Sequence, residues 1–290
     1  MSVAEVPSPA EVPDVDEQPV PSKAGRNLPA AIAVGLTLGA LILGTLFTER
    51  RIFAVVIAVA IGVAILELTR ALRENGMNAA RTPLLVGAAV TIGAAYQRGS
   101  TALLFGLVAT CLACLAWRLG DGGPGVLRDW TASVFVAVYV PFLAGFAAMM
   151  TAPANGPARI VSFIATTVCS DVGGYVAGVL KGRHPMAPSV SPKKTWEGFA
   201  GSTVACVVCG VAVVSTVMEI AWWQGVLFGL AVVVAATVGD LGESLVKRDV
   251  GIKDMGHLLP GHGGIMDRLD SLLVVAPVAW LLLTAWAPLR

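Results

Sequence analysis

The side chains best suited to chemistry are concentrated between Asp240 and Asp270. These 31 residues hold ten of the chain's 39 charged side chains, and six of the ten are acidic. Asp240 with Glu243 and Asp267 with Asp270 are spaced i,i+3, which places both carboxylates of a pair on one face of a helix. Four carboxylates, without Cys or His at matching spacing, favour a hard cation with oxygen ligands, and Mg²⁺ is the natural candidate.

The same stretch carries groups that bind phosphate. His262-Gly263-Gly264 precedes a predicted helix, where glycines allow close backbone approach and the first N–H groups have no partner within the helix. Acids for a metal interleaved with bases for phosphate indicate a Mg²⁺-nucleotide or pyrophosphate site. The alternative is a solvated loop whose charges pair with one another, although its acids reach into predicted membrane helices. The bases are Lys247, Arg248, Lys253 and Arg268.

A second group of polar residues runs from Ser170 to Gly198. Asp171 lies inside a predicted membrane helix, where a carboxylate costs at least ~2.5–3.5 kcal/mol and therefore usually serves a site or pathway. A structural pair with a neighbouring helix is the alternative. The paired lysines of the following loop could bind a lipid phosphate or a nucleotide phosphate, or anchor the loop to anionic lipid. This loop presents Ser189, Ser191, Lys193, Lys194, Thr195 and Glu197.

Apolar segments must position these residues, and they dominate the chain. Of the 290 residues, 56% are hydrophobic and only 13% are charged, against roughly 25% charged in soluble proteins. The apolar runs are too long and too rich in Ala, Val, Leu and Gly for the alternating strands of a barrel. We therefore predict an all-α, polytopic integral membrane protein with about nine transmembrane helices. The predicted segments are 28–47, 52–68, 84–97, 101–117, 132–151, 160–180, 199–218, 221–239 and 272–288.

The distribution of basic residues predicts an orientation. With nine spans, 15 Lys and Arg residues fall on the side of the N-terminus and 5 on the other side, which places the N-terminus and the polar loops 181–198 and 240–271 in the cytoplasm. The third segment is the least certain span, and merging it with its neighbour would give eight. The predicted location is the cell (inner) membrane, with the active site on the cytoplasmic side. The net charge of +1 gives no field that would recruit nucleic acid.

Composition divides the chain into three parts. Residues 1–27 read as a disordered tail rich in proline and acids, without the order of charged, apolar and small residues that marks a signal peptide. Residues 28–155 form the N-terminal transmembrane helices, and 156–290 form the C-terminal catalytic transmembrane region.

Other motifs favour structural roles. Two Cys-x-x-Cys pairs inside apolar segments are interpreted as packing residues rather than zinc ligands. Three Gly-x₃-Gly motifs, at Gly35, Gly174 and Gly225, indicate helix packing within the chain first and a homodimer interface second. Glu67 is interpreted as a side chain near a helix end that reaches the membrane interface. The loop with Arg118, Asp121, Arg128 and Asp129 is interpreted as a solvated connection, and none of these residues is assigned a catalytic or binding role. His184 and His257 are predicted to be bystanders.

The run from Ser244 to Asp270 resembles a known signature. It reads Ser-Leu-Val-Lys-Arg-x₄-Lys-Asp-x-Gly-x₂-Leu-Pro-x-His-Gly-Gly-Ile-x-Asp-Arg-Leu-Asp, and it meets every position of the C-terminal signature of the phosphatidate cytidylyltransferases (CDP-diacylglycerol synthases). The upstream runs Ser170-Asp171 and Ser191-Pro-Lys-Lys-Thr-Trp-Glu-Gly198 also resemble this family, in the expected order. The resemblance covers about residues 160–288, and Val172 and Val179 depart from the family pattern.

This resemblance implies transfer of a cytidylyl group from CTP to phosphatidic acid in the lipid bilayer, giving CDP-diacylglycerol and pyrophosphate. It also implies a requirement for Mg²⁺, with K⁺ as an accompanying ion. The implied catalytic residues are Asp240, Asp267, Asp270, Lys253 and Arg268, of which the three aspartates are the metal ligands. The implied substrate-binding residues are Asp171, Ser189, Ser191, Lys193, Lys194, Thr195, Glu197, Glu243, Ser244, Lys247, Arg248, His262, Gly263 and Gly264.

Two other functions stay open on the residues alone. An ion-coupled transporter would use Asp171 and the loop carboxylates as a pathway, but it predicts charges near the bilayer midplane in two repeated halves, and the chain has no internal repeat. Another Mg²⁺-dependent membrane phosphotransferase, such as a CDP-alcohol enzyme, would carry an Asp-Gly-x₂-Ala-Arg motif. Here Asp121-Gly122 continues as Gly-Pro-Gly instead.

Overall fold

The structure is a computed structural model that describes residues 28–121, 124–256, 258 and 263–287. Within these residues the chain forms nine helices and a two-stranded hairpin. The helices are α1 Leu28–Thr48, α2 Arg50–Glu74, α3 Arg81–Arg98, α4 Ser100–Asp121, α5 Val126–Thr151, α6 Gly156–Lys181, α7 Trp196–Thr216, α8 Trp222–Val250 and α9 Met266–Trp286. The strands are β1 Pro185–Ala187 and β2 Ser191–Thr195. Each predicted apolar segment coincides with one helix, which confirms the all-α prediction, and the predicted tail lies outside the described residues.

The number of membrane crossings is close to the prediction. Seven of the described helices are long and apolar enough to cross a membrane, namely α2 and α4 to α9. Within α1, Ala33–Thr48 counts as a shorter apolar helix, and α3, the least certain predicted span, is not among the seven. The chain is therefore a multi-pass membrane protein, and nine is an approximate count of its spans.

The polar loop predicted at 240–271 is shorter in the structure because α8 continues to Val250. Gly251 ends the helix in the left-handed conformation (φ 72°), and the N–H of Ile252 donates to the Lys247 carbonyl at 2.9 Å. Asp240, Glu243 and Lys247 consequently stand on a rigid helix rather than on a loop.

Glycines bring the C-terminal helices into backbone contact. A methyl group placed on Gly201 of α7 would lie 2.7 Å from the Gly173 carbonyl oxygen of α6, and one placed on Gly210 would lie 2.6 Å from the Gly225 oxygen of α8. Such contacts leave no room for side chains. Two of the three Gly-x₃-Gly motifs thus pack within the chain as predicted, whereas among the described residues nothing lies within 4 Å of the Gly35 methyl position.

Helix α9 packs into the two larger hydrophobic cores that the described residues form. Its residues Met266 and Leu273 lie in a core with α2 to α5, whereas Val275 and Ala279 lie in a second core with α6 to α8. The cysteines Cys114 and Cys206 occupy one core each, which fits their predicted packing role. The start of α9, with its acidic residues, is therefore held between the two halves of the chain.

The prediction of a solvated connection around residues 118–129 is wrong for Asp129. Its side chain is buried, forms an ion pair with Arg118, and accepts hydrogen bonds from the Asn78 N–H at 2.9 Å and the Arg128 Nε at 3.4 Å. Burial of a carboxylate is tolerated here because both oxygens have donors. Asp129 therefore fastens the loop between α2 and α3 to α5, and the side chain of Asp121 lies outside the described set.

Candidate active site

The hairpin between α6 and α7 is held by two of the predicted substrate-binding residues. Thr195 begins α7 as its cap, with its hydroxyl accepting from the Gly198 N–H at 3.1 Å. Glu197 accepts the backbone N–H groups of Arg183 at 3.1 Å and His184 at 3.2 Å, and its Oε1 lies 2.5 Å from the His184 Nδ1. The predicted bystander His184 thus helps to fix the hairpin. Thr195 and Glu197 therefore stabilise the start of α7 and the hairpin in the described conformation.

The hairpin directs Lys194 toward α8, where it forms an ion pair with Asp240. Both side chains are partly open, with 24% of Lys194 and 36% of Asp240 exposed. Lys193, the preceding residue, is exposed, as is Ser189 at the hairpin turn. Of the two neighbouring lysines, Lys194 therefore forms an ion pair with Asp240, whereas Lys193 is exposed.

Three carboxylates from three helices converge beside Lys194. Asp171 of α6 interacts electrostatically with Asp240 of α8 and Asp270 of α9, and with the basic groups of Lys194 and Arg268. We call these five residues the open cluster. Like charges so close together repel one another, so the arrangement attracts cations.

Gly239 explains how Asp240 and Asp270 come together. A methyl group on Gly239 would lie 2.6 Å from the Asp270 carbonyl oxygen and 3.0 Å from the Ser271 Cα, so α8 and α9 touch through their backbones at this point. The Ser271 N–H donates to the Asp270 Oδ1 at 2.6 Å, and the Ser271 hydroxyl donates to the Ala236 oxygen at 3.3 Å. The contact places the Asp270 carboxylate next to that of Asp240, the residue after Gly239.

Beneath the open cluster lies a buried triad of Glu243, Lys247 and Asp267. The Lys247 Nζ is 2.7 Å from the Glu243 Oε2 and 2.6 Å from the Asp267 Oδ1. The side chains of Glu243 and Asp267 are 1% and 4% exposed. The i,i+3 acid pairs are thus divided, because Asp240 and Asp270 belong to the open cluster whereas Glu243 and Asp267 share one buried lysine.

Asp267 also holds the segment that precedes α9. Its carboxylate accepts the Gly264 N–H at 2.7 Å and the Met255 N–H at 3.1 and 3.2 Å. Gly263 adopts a positive φ of 79° next to this carboxylate, which suits glycine.

Glu67 of α2 is a site residue that the sequence analysis missed. Its carboxylate accepts the N–H groups of Ile265 at 3.1 Å and Met266 at 2.8 Å, which are donors at the start of α9. Methyl groups on Gly256 and Gly264 would collide with this carboxylate, so both glycines make room for it. The one sequence signal was a carboxylate near the end of an apolar segment, which does not reveal a partner so distant along the chain.

The remaining predicted residues form no hydrogen bond or ion pair with the open cluster among the described residues. Arg248 and Lys253 are exposed and form no ion pair with a described residue, and Ser191 and Ser244 are partly buried. These residues stay predicted substrate contacts. His262 and the predicted bystander His257 lie outside the described residues.

The donors present suit Mg²⁺, although the described side chains include no group of three His, Cys, Asp or Glu arranged around a common metal position. Mg²⁺ usually keeps several waters and takes one or two carboxylates together with substrate phosphates, so such a group is not required. In addition, the Glu243 Oε1 and the Tyr139 hydroxyl are buried without a hydrogen-bond partner among the described residues. Tyr139 interacts electrostatically with Glu243, Asp240 and Asp270, and Glu243 interacts with Asp270. These two oxygens are polar atoms that an ion or its water could satisfy.

Comparison with known proteins agrees with this chemistry. A model of the Cytidylyltransferase family matches residues 29–286, which include every element of the site. The chain is 45% identical over 278 residues to a phosphatidate cytidylyltransferase of Mycobacterium leprae, covering 90% of this chain and 89% of that protein. It is 42% identical over 294 residues to one of Mycobacterium bovis, covering 96% of both. A relative of the same name from Brucella suis is 35% identical over 190 residues, 64% of this chain and 66% of that protein.

Proposed function

The chain belongs to the Cytidylyltransferase family, and on that premise we propose that it transfers the cytidylyl group of CTP to phosphatidate, giving CDP-diacylglycerol and pyrophosphate. One observation supports the assignment above the others. Lys194 forms an ion pair with Asp240, and Asp171 interacts electrostatically with Asp240, Asp270 and Lys194, so that carboxylates from three different membrane helices act at one site. A site with this mixture of charges suits the phosphates of a nucleotide and a lipid.

The chemistry is a direct displacement. An oxygen of the phosphatidate phosphate attacks the α-phosphorus of CTP and forms a new P–O bond. The bond from that phosphorus to the oxygen bridging to the β-phosphate breaks, and pyrophosphate leaves with the electron pair. Because the nucleophile is already an anion, the reaction needs no covalent enzyme intermediate.

The protein must bring two anions together, and its basic residues reduce their repulsion. Lys194 and Arg268 lie in the open cluster, and the exposed Lys193, Arg248 and Lys253 are available to the triphosphate and the departing pyrophosphate. Positioned cations of this kind stabilise the charge that develops on the leaving group. The buried triad keeps the start of α9 in place while substrates bind.

We also propose that Asp240 and Asp270, with Asp171 beside them, hold Mg²⁺. When bound, the ion supplies neutralisation of phosphate charge. Asp267, the third acid of the predicted ligand set, contacts Lys247 and two backbone N–H groups, so it also fixes the segment before α9 and stays a predicted ligand. This division of the three acids is supported by their contacts.

The proposed location follows from the substrates. Phosphatidate lies in the bilayer with its phosphate at the interface, and CTP is water-soluble, so the site belongs at the ends of the membrane helices. The basic residues, 15 of 20 on one side, support a cytoplasmic position in the cell membrane.

The experiment is a turnover assay on the full chain purified in detergent, with radiolabelled CTP and phosphatidate. We expect labelled CDP-diacylglycerol only with added Mg²⁺, and a decrease of about 100-fold or more for Asp270→Asn, because a group that stabilises the transition state is lost. Asp249→Asn is the matched control, since Asp249 is exposed and stands on the same helix as Asp240. Full turnover by Asp270→Asn would contradict the proposed site, and no labelled lipid from the unaltered protein would contradict the function.

A further inference from the structure

A basic cavity lies apart from the open cluster, where α2 ends, α3 begins and α4 ends. Its volume is about 200 Å³, and each of the three helices contributes an arginine. The side chains that define it are Thr69, Arg73, Asn78, Arg81, Trp117 and Arg118. Neither the sequence motifs nor the proposed reaction uses this cavity.

The cavity carries positive charge that the described part of the chain does not balance. Arg118 is paired with Asp129. The Arg81 Nε donates to the Thr69 hydroxyl at 3.1 Å, and neither Arg81 nor Arg73 forms an ion pair with a described residue. Two arginines beside one cavity favour an anion, and the guanidinium group is well suited to phosphate oxygens.

The cavity lies on the same side of the molecule as the open cluster. The Asn75 side chain, next to the end of α2, donates to the Val250 carbonyl at the end of α8 at 2.9 Å. Glu67, which touches the start of α9, is six residues before Arg73, so the two side chains leave α2 in directions roughly 120° apart. The cavity therefore opens on a different face of α2 from the one that meets the open cluster.

The surroundings are those of a membrane interface. Trp117 is 50% exposed, and Leu119, two residues farther along α4, is 68% exposed. Both belong to a helix that is long and apolar enough to cross a membrane. An amphipathic indole beside arginines at a helix end is typical of the headgroup region, where basic pockets between helices bind anionic headgroups.

We propose that this cavity binds the phosphate of an anionic phospholipid headgroup, at a site separate from the reaction centre. The arginines contact the phosphate, and the apolar surface beside Trp117 receives the start of the acyl chains. A phosphodiester lipid fits this description, so the ligand need not be a substrate of the proposed reaction.

Lipid binding by the full chain, measured by native mass spectrometry in detergent, tests the proposal. The probes are short-chain phosphatidylglycerol, short-chain phosphatidylcholine and inorganic phosphate. We expect phosphatidylglycerol to bind in preference to the other two. Arg73→Gln should weaken its binding by about fivefold, and Arg73→Gln with Arg81→Gln by about 25-fold, since each basic residue near a membrane surface contributes a factor of this size.

Two further variants make the result specific. Arg98→Gln removes a charge from the opposite end of α3 and should leave phosphatidylglycerol binding unchanged. Asp270→Asn disables the reaction centre and should also leave phosphatidylglycerol binding unchanged, because the two sites are separate.

Unchanged binding in the double variant, equal binding of phosphatidylcholine, or loss of binding in Asp270→Asn would each overturn the proposal. Tighter binding of inorganic phosphate than of the lipid would also overturn it, in favour of a soluble anion. The Arg73 side chain forms no described hydrogen bond, so the Arg73→Gln variant is expected to fold normally.

Discussion

Glu67, a single residue outside the signature runs, connects α2 to the site. It lies 198 positions before Ile265, and its two hydrogen bonds fix the start of the helix that carries Asp267, Arg268 and Asp270. A carboxylate at this end of a helix also interacts favourably with the helix dipole. Through this contact the N-terminal helices, which lack any residue of the open cluster, take part in positioning it.

Replacing Glu67 by alanine should therefore destabilise the protein and slow turnover together. We expect a loss of roughly 1–2 kcal/mol in the free energy of unfolding, the size of a lost helix cap, and about a tenfold decrease in kcat. Glu67→Gln retains one acceptor and should fall between alanine and the original residue. Thermal unfolding in detergent and the CTP assay measure the two effects. Glu74→Ala is the control, because Glu74 ends the same helix in an exposed pair with Arg70. Normal turnover in Glu67→Ala would show that α9 does not depend on this contact.

At the scale of elements, the close approach of α8 and α9 determines whether the two open carboxylates meet. Gly239 and Gly242 stand one turn apart on α8, yet their surroundings differ. The methyl position of Gly239 is in contact with the backbone of α9, whereas nothing in the described structure lies within 4 Å of that of Gly242. The two glycines form a matched pair for testing the role of this contact.

Gly239→Ala should force the helices apart, because an added methyl group meets rigid backbone. We expect a cost of about 1–3 kcal/mol in stability and a marked decrease in turnover, since Asp240 and Asp270 separate. Gly242→Ala should instead be neutral or stabilise the protein by up to about 1 kcal/mol, as alanine is favoured over glycine within helices. Thermal unfolding and turnover of both variants provide the comparison. Equal behaviour of the two would contradict the proposed role of the contact.

The elements were predictable from the sequence, but the contacts between them were less so. An apolar run predicted every described helix, and the acids of α8 and α9 were visible as i,i+3 pairs. The pairing of Lys194 with Asp240, the division of the acid pairs between two layers, and the capping by Glu67 depend on residues far apart in sequence. The burial of Asp129 was not predictable for the same reason, since its partners Asn78 and Arg118 come from the loop before α3 and from α4.

At the scale of the whole molecule, charge is distributed unevenly between the two ends of the bundle. The open cluster, the buried triad and the basic cavity all lie at the end where α2 and α8 finish and α9 begins. At the opposite end, Arg159 is fully buried, and its Nε donates to the Asn155 side chain at 2.8 Å. Arg159 therefore serves the internal structure at that end, whereas the first end carries the open cluster.

This asymmetry predicts the sidedness of the protein in the membrane. In a background without native cysteines, Ser189→Cys at the hairpin turn should be labelled by a membrane-impermeant thiol reagent only from the cytoplasmic side. Ala154→Cys, an exposed position between α5 and α6, should be labelled only from the other side, because α6 separates the two positions. Right-side-out and inside-out vesicles provide the measurement, and labelling after detergent treatment confirms that both thiols react. Labelling of both positions from one side would contradict a membrane crossing by α6. The reversed pattern would place the reaction centre on the non-cytoplasmic side, which CTP from the cytoplasm could not reach.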